Sequence, residues 1–270
     1  VADAPTRNIY FALTEAFNAT APTVALASGQ AVVYYRVAIM SKDGDWIIRE
    51  TPEACAMVLG ELEARGAQYR PAPPLDVRWL SGGWSSHFQF FDARQRRVRC
   101  DFVSRPPRVS RATIDALFVR TEKPPALNVV DLAALIALKQ TQRAKDYSVI
   151  GELATRLPPE QEIELTTDPD RVIALAPKFG HASSRSAVRA AHVDRHAVVV
   201  ALAEEIDTMQ QVDRRRVAAY EAVAHPYLEA CRAQAVSTLG LQDAHARMLE
   251  LAERLLPRTV EPGPTHVDAQ

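Results

Sequence analysis

Cysteine is scarce in this chain: Cys55, Cys100 and Cys231 are the only three in 270 residues. They stand far apart, without the paired spacing of a zinc site, and an odd number argues against a disulfide framework. That pattern points to a reducing compartment, and the expectation is a cytoplasmic protein. Long apolar runs are missing too. The best of them, such as "DLAALIALK", fall well short of the roughly 20 residues a membrane-spanning helix needs. The start, "VADAPTRNIYFALTEAF", has neither the basic opening nor the apolar core of a signal peptide, so no membrane partner is expected. Nor is there a charge of one sign in excess. With 32 basic against 33 acidic residues, no global field favours nucleic acid or a lipid surface, and any such contact must be local. There is no internal repeat and no low-complexity block. "SGGW" at 81–84 is too bare for a phosphate loop and reads as a hairpin corner.

What is present is apolar content of 47%, enough for a sizeable core, and a length that suggests two domains. Residues 9–18 read as a short helix, "TVALAS" at 23–28 as a buried strand, and "QAVVYYRVAI" as the helix after it. "DWIIRE" is a second strand. "TPEACAMVLGELEARG" is an amphipathic helix with Thr51 as N-cap, Pro52 in the first position and Gly66 as stop. Three further runs, "LDVRWLS", "SHFQFFD" and "RVRCDFVS", predict an antiparallel meander, with Gly82-Gly83 and "ARQR" as its turns. "TEKPPAL" at 121–127 reads as a linker, and helices are expected near 129–142, 144–156, 183–210, 212–237 and 239–256. The reading is thus an α/β domain over 1–125 with a mixed sheet and helices, an all-helical C-terminal domain over 126–257, and a loose tail over 258–270.

The chemistry-bearing stretch is "SKDGDWIIRE" at 41–50. Asp43 and Asp45, two apart at the mouth of a strand, are either turn residues or one face of a metal site, since strand side chains alternate. In "RVRCDFVS" the same alternation puts Val98, Cys100 and Phe102 on one face and leaves Asp101 on the other. A carboxylate inside an apolar strand needs a reason. If the two strands are neighbours, Asp43, Asp45 and Asp101 converge on one face, an arrangement able to hold two divalent cations for phosphoryl transfer. Ser28-Gly29 closes the preceding apolar strand and opens a helix, 14 residues before Asp43, which offers backbone N–H groups to a phosphate.

At these residues the chain resembles the DNA polymerase β-like nucleotidyltransferase superfamily, in particular small bacterial members of abortive-infection and toxin–antitoxin type. The resemblance runs over roughly residues 23–156, including "DLAALIALKQTQRAKDYSVIGEL". It implies that Ser28 and Gly29 hold a triphosphate and that Asp43, Asp45 and Asp101 hold Mg2+ or Mn2+. It implies transfer of a nucleoside monophosphate from a nucleoside triphosphate, ATP among them, to an acceptor hydroxyl on RNA, protein or a small molecule. An antitoxin-like partner protein is implied as well. Where relatives carry an apolar residue between the aspartates, this chain has Gly44. The competing reading keeps the fold as a non-catalytic module that binds a nucleotide or a protein partner.

Other residues carry two readings each. Lys139 and Arg143, four apart, share a helix face, either reaching a triphosphate or facing solvent, with Lys145 and Asp146 beginning the next turn. Arg94, Arg96, Arg97 and Arg99 suit a nucleic-acid grip, but no aromatic interleaving suggests base stacking, so an exposed hairpin turn is the cheaper explanation. His192 and His196, preceded by Arg185 and Arg189, lack a third ligand and read as surface histidines.

Overall fold

The computed structural model describes residues 8–119 and 127–261; the expected linker at 121–127 falls almost wholly outside these, as does the tail beyond 261. The class is α/β. A mixed sheet of five strands has the order β1 (Val24–Ala27), β2 (Gly44–Ile48), β5 (Arg97–Val103), β4 (Ser85–Phe91), β3 (Gln68–Tyr69). β2 and β5 are parallel, and the other neighbours antiparallel. The chain divides into two compact units, one made of residues 1–130 and 218–270, the other of 131–217.

In the first unit α1 (Ile9–Phe17) and α2 (Ser28–Tyr34) flank β1, and α3 (Pro52–Glu63) follows β2. Thr51 caps α3 by accepting from the N–H of Ala54, with Pro52 in the first turn, as the sequence requires. α4 (Val77–Leu80) and α5 (Arg111–Ala116) are short. On one sheet face Trp46 stacks on Phe102 at 5.2 Å and Phe17 meets both rings edge-on, while β1 is buried on both faces. Trp46, Ile48, Cys100 and Phe102 are all buried, and Trp46 Nε1 donates to Thr14 Oγ1 at 2.8 Å. A buried indole N–H needs such an acceptor.

In the second unit lie α6 (Leu132–Lys139), α7 (Asp146–Ala154), α8 (Pro159–Leu165), α9 (Pro169–Phe179), α10 (Ser186–Ala190) and the first part of α11 (Arg195–Ala233). Its core gathers Ile163, Val172, Leu175, Val188, Val198 and Leu202. The rest of α11 and α12 (Leu241–Leu255) belong to the first unit.

Five expectations are corrected here. "LDVRWLS" is helix α4, because Asp76 caps it by accepting from the N–H of Arg78, and the third strand of the antiparallel part is the two-residue β3 instead. Gly82-Gly83 is the exit from α4 into β4, not a hairpin corner. Helices over 159–165 and 169–179 were not foreseen, and 195–233 is one helix, not two. The C-terminal segment from 218 joins the sheet-bearing unit, where Trp79 Nε1 donates to the Leu256 carbonyl and Trp84 Nε1 to that of Pro257. The three cysteines carry free thiols, and among the described residues no helix is long and apolar enough to cross a membrane.

Candidate active site on the polar face of the sheet

Along β5 burial alternates strictly, with Val98, Cys100 and Phe102 buried and Arg97, Arg99, Asp101 and Val103 turned the other way. β4 repeats the pattern. The parallel register pairs Asp45 with Asp101, and the antiparallel one pairs Asp101 with His87. One row across three strands therefore reads Asp45, Asp101, His87, on strands about 4.8 Å apart. Beside it the N–H of Arg70 donates to the carbonyl of His87, and Arg70 Nη1 reaches Asp101 Oδ1 at 3.0 Å. Arg99, one alternation along from Asp101, meets Asp43 Oδ1 at 3.3 Å.

Burial is what perturbs Asp101 most. It pushes the carboxyl up to about 6; Arg70 pulls against this, Asp43 adds repulsion and Arg99 opposes it. His87 is pushed down to about 4 by burial and then by the charge of Arg70, and its Nε2 lies 3.0 Å from Ser85 Oγ. Neutral at ordinary pH, this imidazole adds no charge to the row.

Gly44 has a physical reason. A Cβ there would come inside 3.0 Å of the Trp46 indole and of the Tyr10 ring, so the folded-back Trp46 excludes the apolar residue that the resemblance would place between the aspartates. The segment ahead of β2 is pinned from two sides. Tyr10 OH donates to the Lys42 carbonyl at 2.6 Å, and Gln30 Nε2 to the Ser41 carbonyl at 2.9 Å. Ala27 pairs with Asp45, so the Ser28-Gly29 turn leaves β1 beside the aspartates. Ser28 holds a positive φ of 47°, a costly conformation for a residue with a Cβ. A Cβ on Gly29 would collide with Ser41.

Carboxylate oxygens are the donors that Mg2+ and Mn2+ select, so Asp43, Asp45 and Asp101 fit such an ion in chemistry. As the side chains lie, Arg70 and Arg99 take up two of the three carboxylates. Among the described residues no three Asp, Glu, His or Cys side chains are gathered as a metal would hold them. Asp45 and Asp101 are thus brought side by side, while the expected convergence of all three at one point is not present.

The helix face expected to be shared by Lys139 and Arg143 is corrected. α6 ends at Lys139, so Arg143 lies in the following loop, and both cations turn to Asp146, at 3.3 and 3.0 Å. Lys139 is buried, and a buried ammonium needs that partner. His192 precedes α11 while His196 lies within it, and both are exposed. Arg185 is engaged by Glu205 and by the carbonyls of Ile163 and Thr166. The arginine hairpin is an exposed turn, in which Arg96 pairs with Asp92, but Arg99 also reaches the site. The sequence reading missed Arg70 and His87. The alternation of "SHFQFFD" did place His87 on the polar face; no local signal marked Arg70, because its role comes from β3 pairing with β4.

No family model matches the chain, and no curated protein matches it. Two solved structures from Helicobacter pylori do resemble it. One, a "putative nucleotidyltransferase", has a TM-score of 0.41 at 10% identity and covers 77% of this chain and 94% of its own. The other, JHP933, has a TM-score of 0.40 at 10% identity and covers 79% and 94%.

Proposed function

We propose that the chain transfers a nucleoside monophosphate from a nucleoside triphosphate to an acceptor hydroxyl. The observation that carries this reading is the in-register meeting of Asp45 and Asp101 on adjacent parallel strands, with Asp43 just ahead. Oxygen donors of this kind suit a divalent cation, which supplies charge neutralisation at the triphosphate. Asp43, Asp45 and Asp101 are the residues that would hold it, each released from its present partner as needed. Asp101, on the strand beside Asp45, is the carboxylate assigned to accept the acceptor's proton. Backbone N–H groups after Ser28 lie beside Asp45 through the β1–β2 pairing and are suited to the phosphates. Lys139 and Arg143, which pair with Asp146, are given no role in this reading.

Incubation with labelled nucleoside triphosphates and Mg2+ or Mn2+ tests this. Wild type is expected to label itself or an added RNA, and Asp45→Asn to lower the rate by about 100-fold or more, the scale of losing one charged transition-state contact. Equal rates in the two proteins would refute the role. A specific observation favours a second reading, a non-catalytic nucleotide-binding module: Arg70 and Arg99 already neutralise Asp101 and Asp43. Nucleotide binding without any label transfer would select it.

A further inference from the structure

A cavity of about 620 Å³ in the first unit opens where β2 and β5 begin and the β4–β5 hairpin turns. Asp43 and Arg99 line it, so it adjoins the carboxylate face, but Asp45 and Asp101 do not. Its volume falls in the range of small-molecule sites, about 300 to 1,000 Å³.

The charges in its wall are unequal. Lys42, Arg96, Arg97 and Arg99 stand against Asp43 and Asp92. Asp92 is taken by Arg96 and Asp43 by Arg99. Lys42 and Arg97, both exposed, make no ion pair with any described residue, so two cations of the wall are uncompensated. A solvated surface would also leave them so, but two features set this wall apart. The backbone of residues 41 and 42 is fixed by Gln30, itself 1% exposed, and by Tyr10, so the cavity edge is preorganised. And the lip carries Ile39, 98% exposed, and Met40, 75% exposed. Two adjacent large apolar side chains bared beside two unpaired cations match a ligand with an anionic group and an apolar body.

We propose that this cavity binds a small phosphate-bearing molecule, its phosphate on Lys42 and Arg97 and its apolar part against Ile39 and Met40. Under the nucleotidyl-transfer reading, on which only this assignment of role rests, that molecule is the acceptor, delivered to the edge of the carboxylate face at Asp43. A small molecule is favoured over a nucleic-acid strand because the wall has no exposed aromatic side chain on which bases could stack.

Because the protein supplies the positive charge, phosphate binding here requires no metal. The test is calorimetric titration of inorganic pyrophosphate into the full chain at low ionic strength with EDTA present, where exposed charges are least screened. Wild type is expected to bind. The double variant Lys42→Ala/Arg97→Ala should bind at least about 10-fold more weakly, which is 1.4 kcal/mol. Lys42→Arg/Arg97→Lys should retain most of the affinity, which excludes a folding defect as the cause. Asp45→Asn, outside the cavity, should bind pyrophosphate as wild type does even though it loses transfer. No binding by wild type, or equal affinities for wild type and the double alanine variant, overturns the proposal. Pyrophosphate binding alongside an absence of any transfer upholds the site and removes only the nucleotidyl-transfer reading.

Discussion

Asp101 is three-quarters withdrawn from solvent, its side chain 24% exposed, and shares its surroundings with two arginines and two aspartates. In the unfolded chain its carboxyl ionises near 3.9; folded, it holds its proton to about 6. Between these values the native state binds the proton more tightly. The stability contributed is therefore complete below about 4 and is lost as pH rises through about 6. Asn at this position cannot ionise, so Asp101→Asn should gain on wild type by about 1 to 2 kcal/mol between pH 4 and 7, less than the full shift because some solvent reaches the group. Urea unfolding of both proteins at the two pH values measures it. A constant difference would mean that Asp101 is ionised throughout, held so by Arg70. The same burial that weakens the fold at neutral pH gives the carboxylate its basicity, so the gain in stability should come with a loss of any transferase activity.

At the scale of elements, helix α4 shows how a cap can override an apparent strand. Alternation in "LDVRWLS" suits β structure, yet Trp79 and Leu80 are consecutive and both fully buried, which departs from the two-residue alternation of a strand with one solvated face, such as β4 or β5. Asp76 decides it by accepting from the Arg78 N–H at 2.9 Å, while its two oxygens also take the Arg78 guanidinium. Asp76→Ala removes cap and ion pair together and should cost about 1 kcal/mol or somewhat more; chemical denaturation checks it, and an unchanged midpoint would show the turn to be held by Trp79 alone. The overlooked helices α8 and α9 had a legible start signal, since Pro159 and Pro169 stand in their first turns and Asp168 caps α9 through the N–H of Asp170. At the division expected near 210–212 there is no Gly or Pro, and α11 runs through it.

Across the whole molecule the order of the sequence and the order of the units part company. The sheet-bearing unit is completed only by residues after 217. Tyr227, fully buried, donates to the Ala72 carbonyl; Tyr69 OH meets His245 Nδ1 at 2.7 Å; and Leu251 and Leu256 are buried with them. A chain ending at Val217 should consequently fail to fold its first unit, since it uncovers Tyr69, Trp79 and Trp84 and orphans their polar atoms. Near-ultraviolet circular dichroism and tryptophan emission are the measurements, with loss of the tertiary signal and a shift to longer wavelength expected. A native-like spectrum would show that unit to be independent of its C-terminal helices.

By itself the sequence determined what is local. It set the two-residue alternation that puts Cys100 inside and Asp101 outside, the Thr51-Pro52 entry to α3, and the placing of Asp43, Asp45 and the Ser28-Gly29 turn at strand ends. These follow from backbone geometry and capping, which act over a few residues. Tertiary structure alone decided which strands adjoin, and hence that Asp45 stands beside Asp101, that Arg70 and Arg99 neutralise the carboxylates, and that Trp46 leaves room at position 44 only for glycine. It also turned Lys139 and Arg143 to Asp146. Charges far apart in the chain choose partners by where the core brings them, and the burial of apolar side chains that drives this acts over the whole molecule.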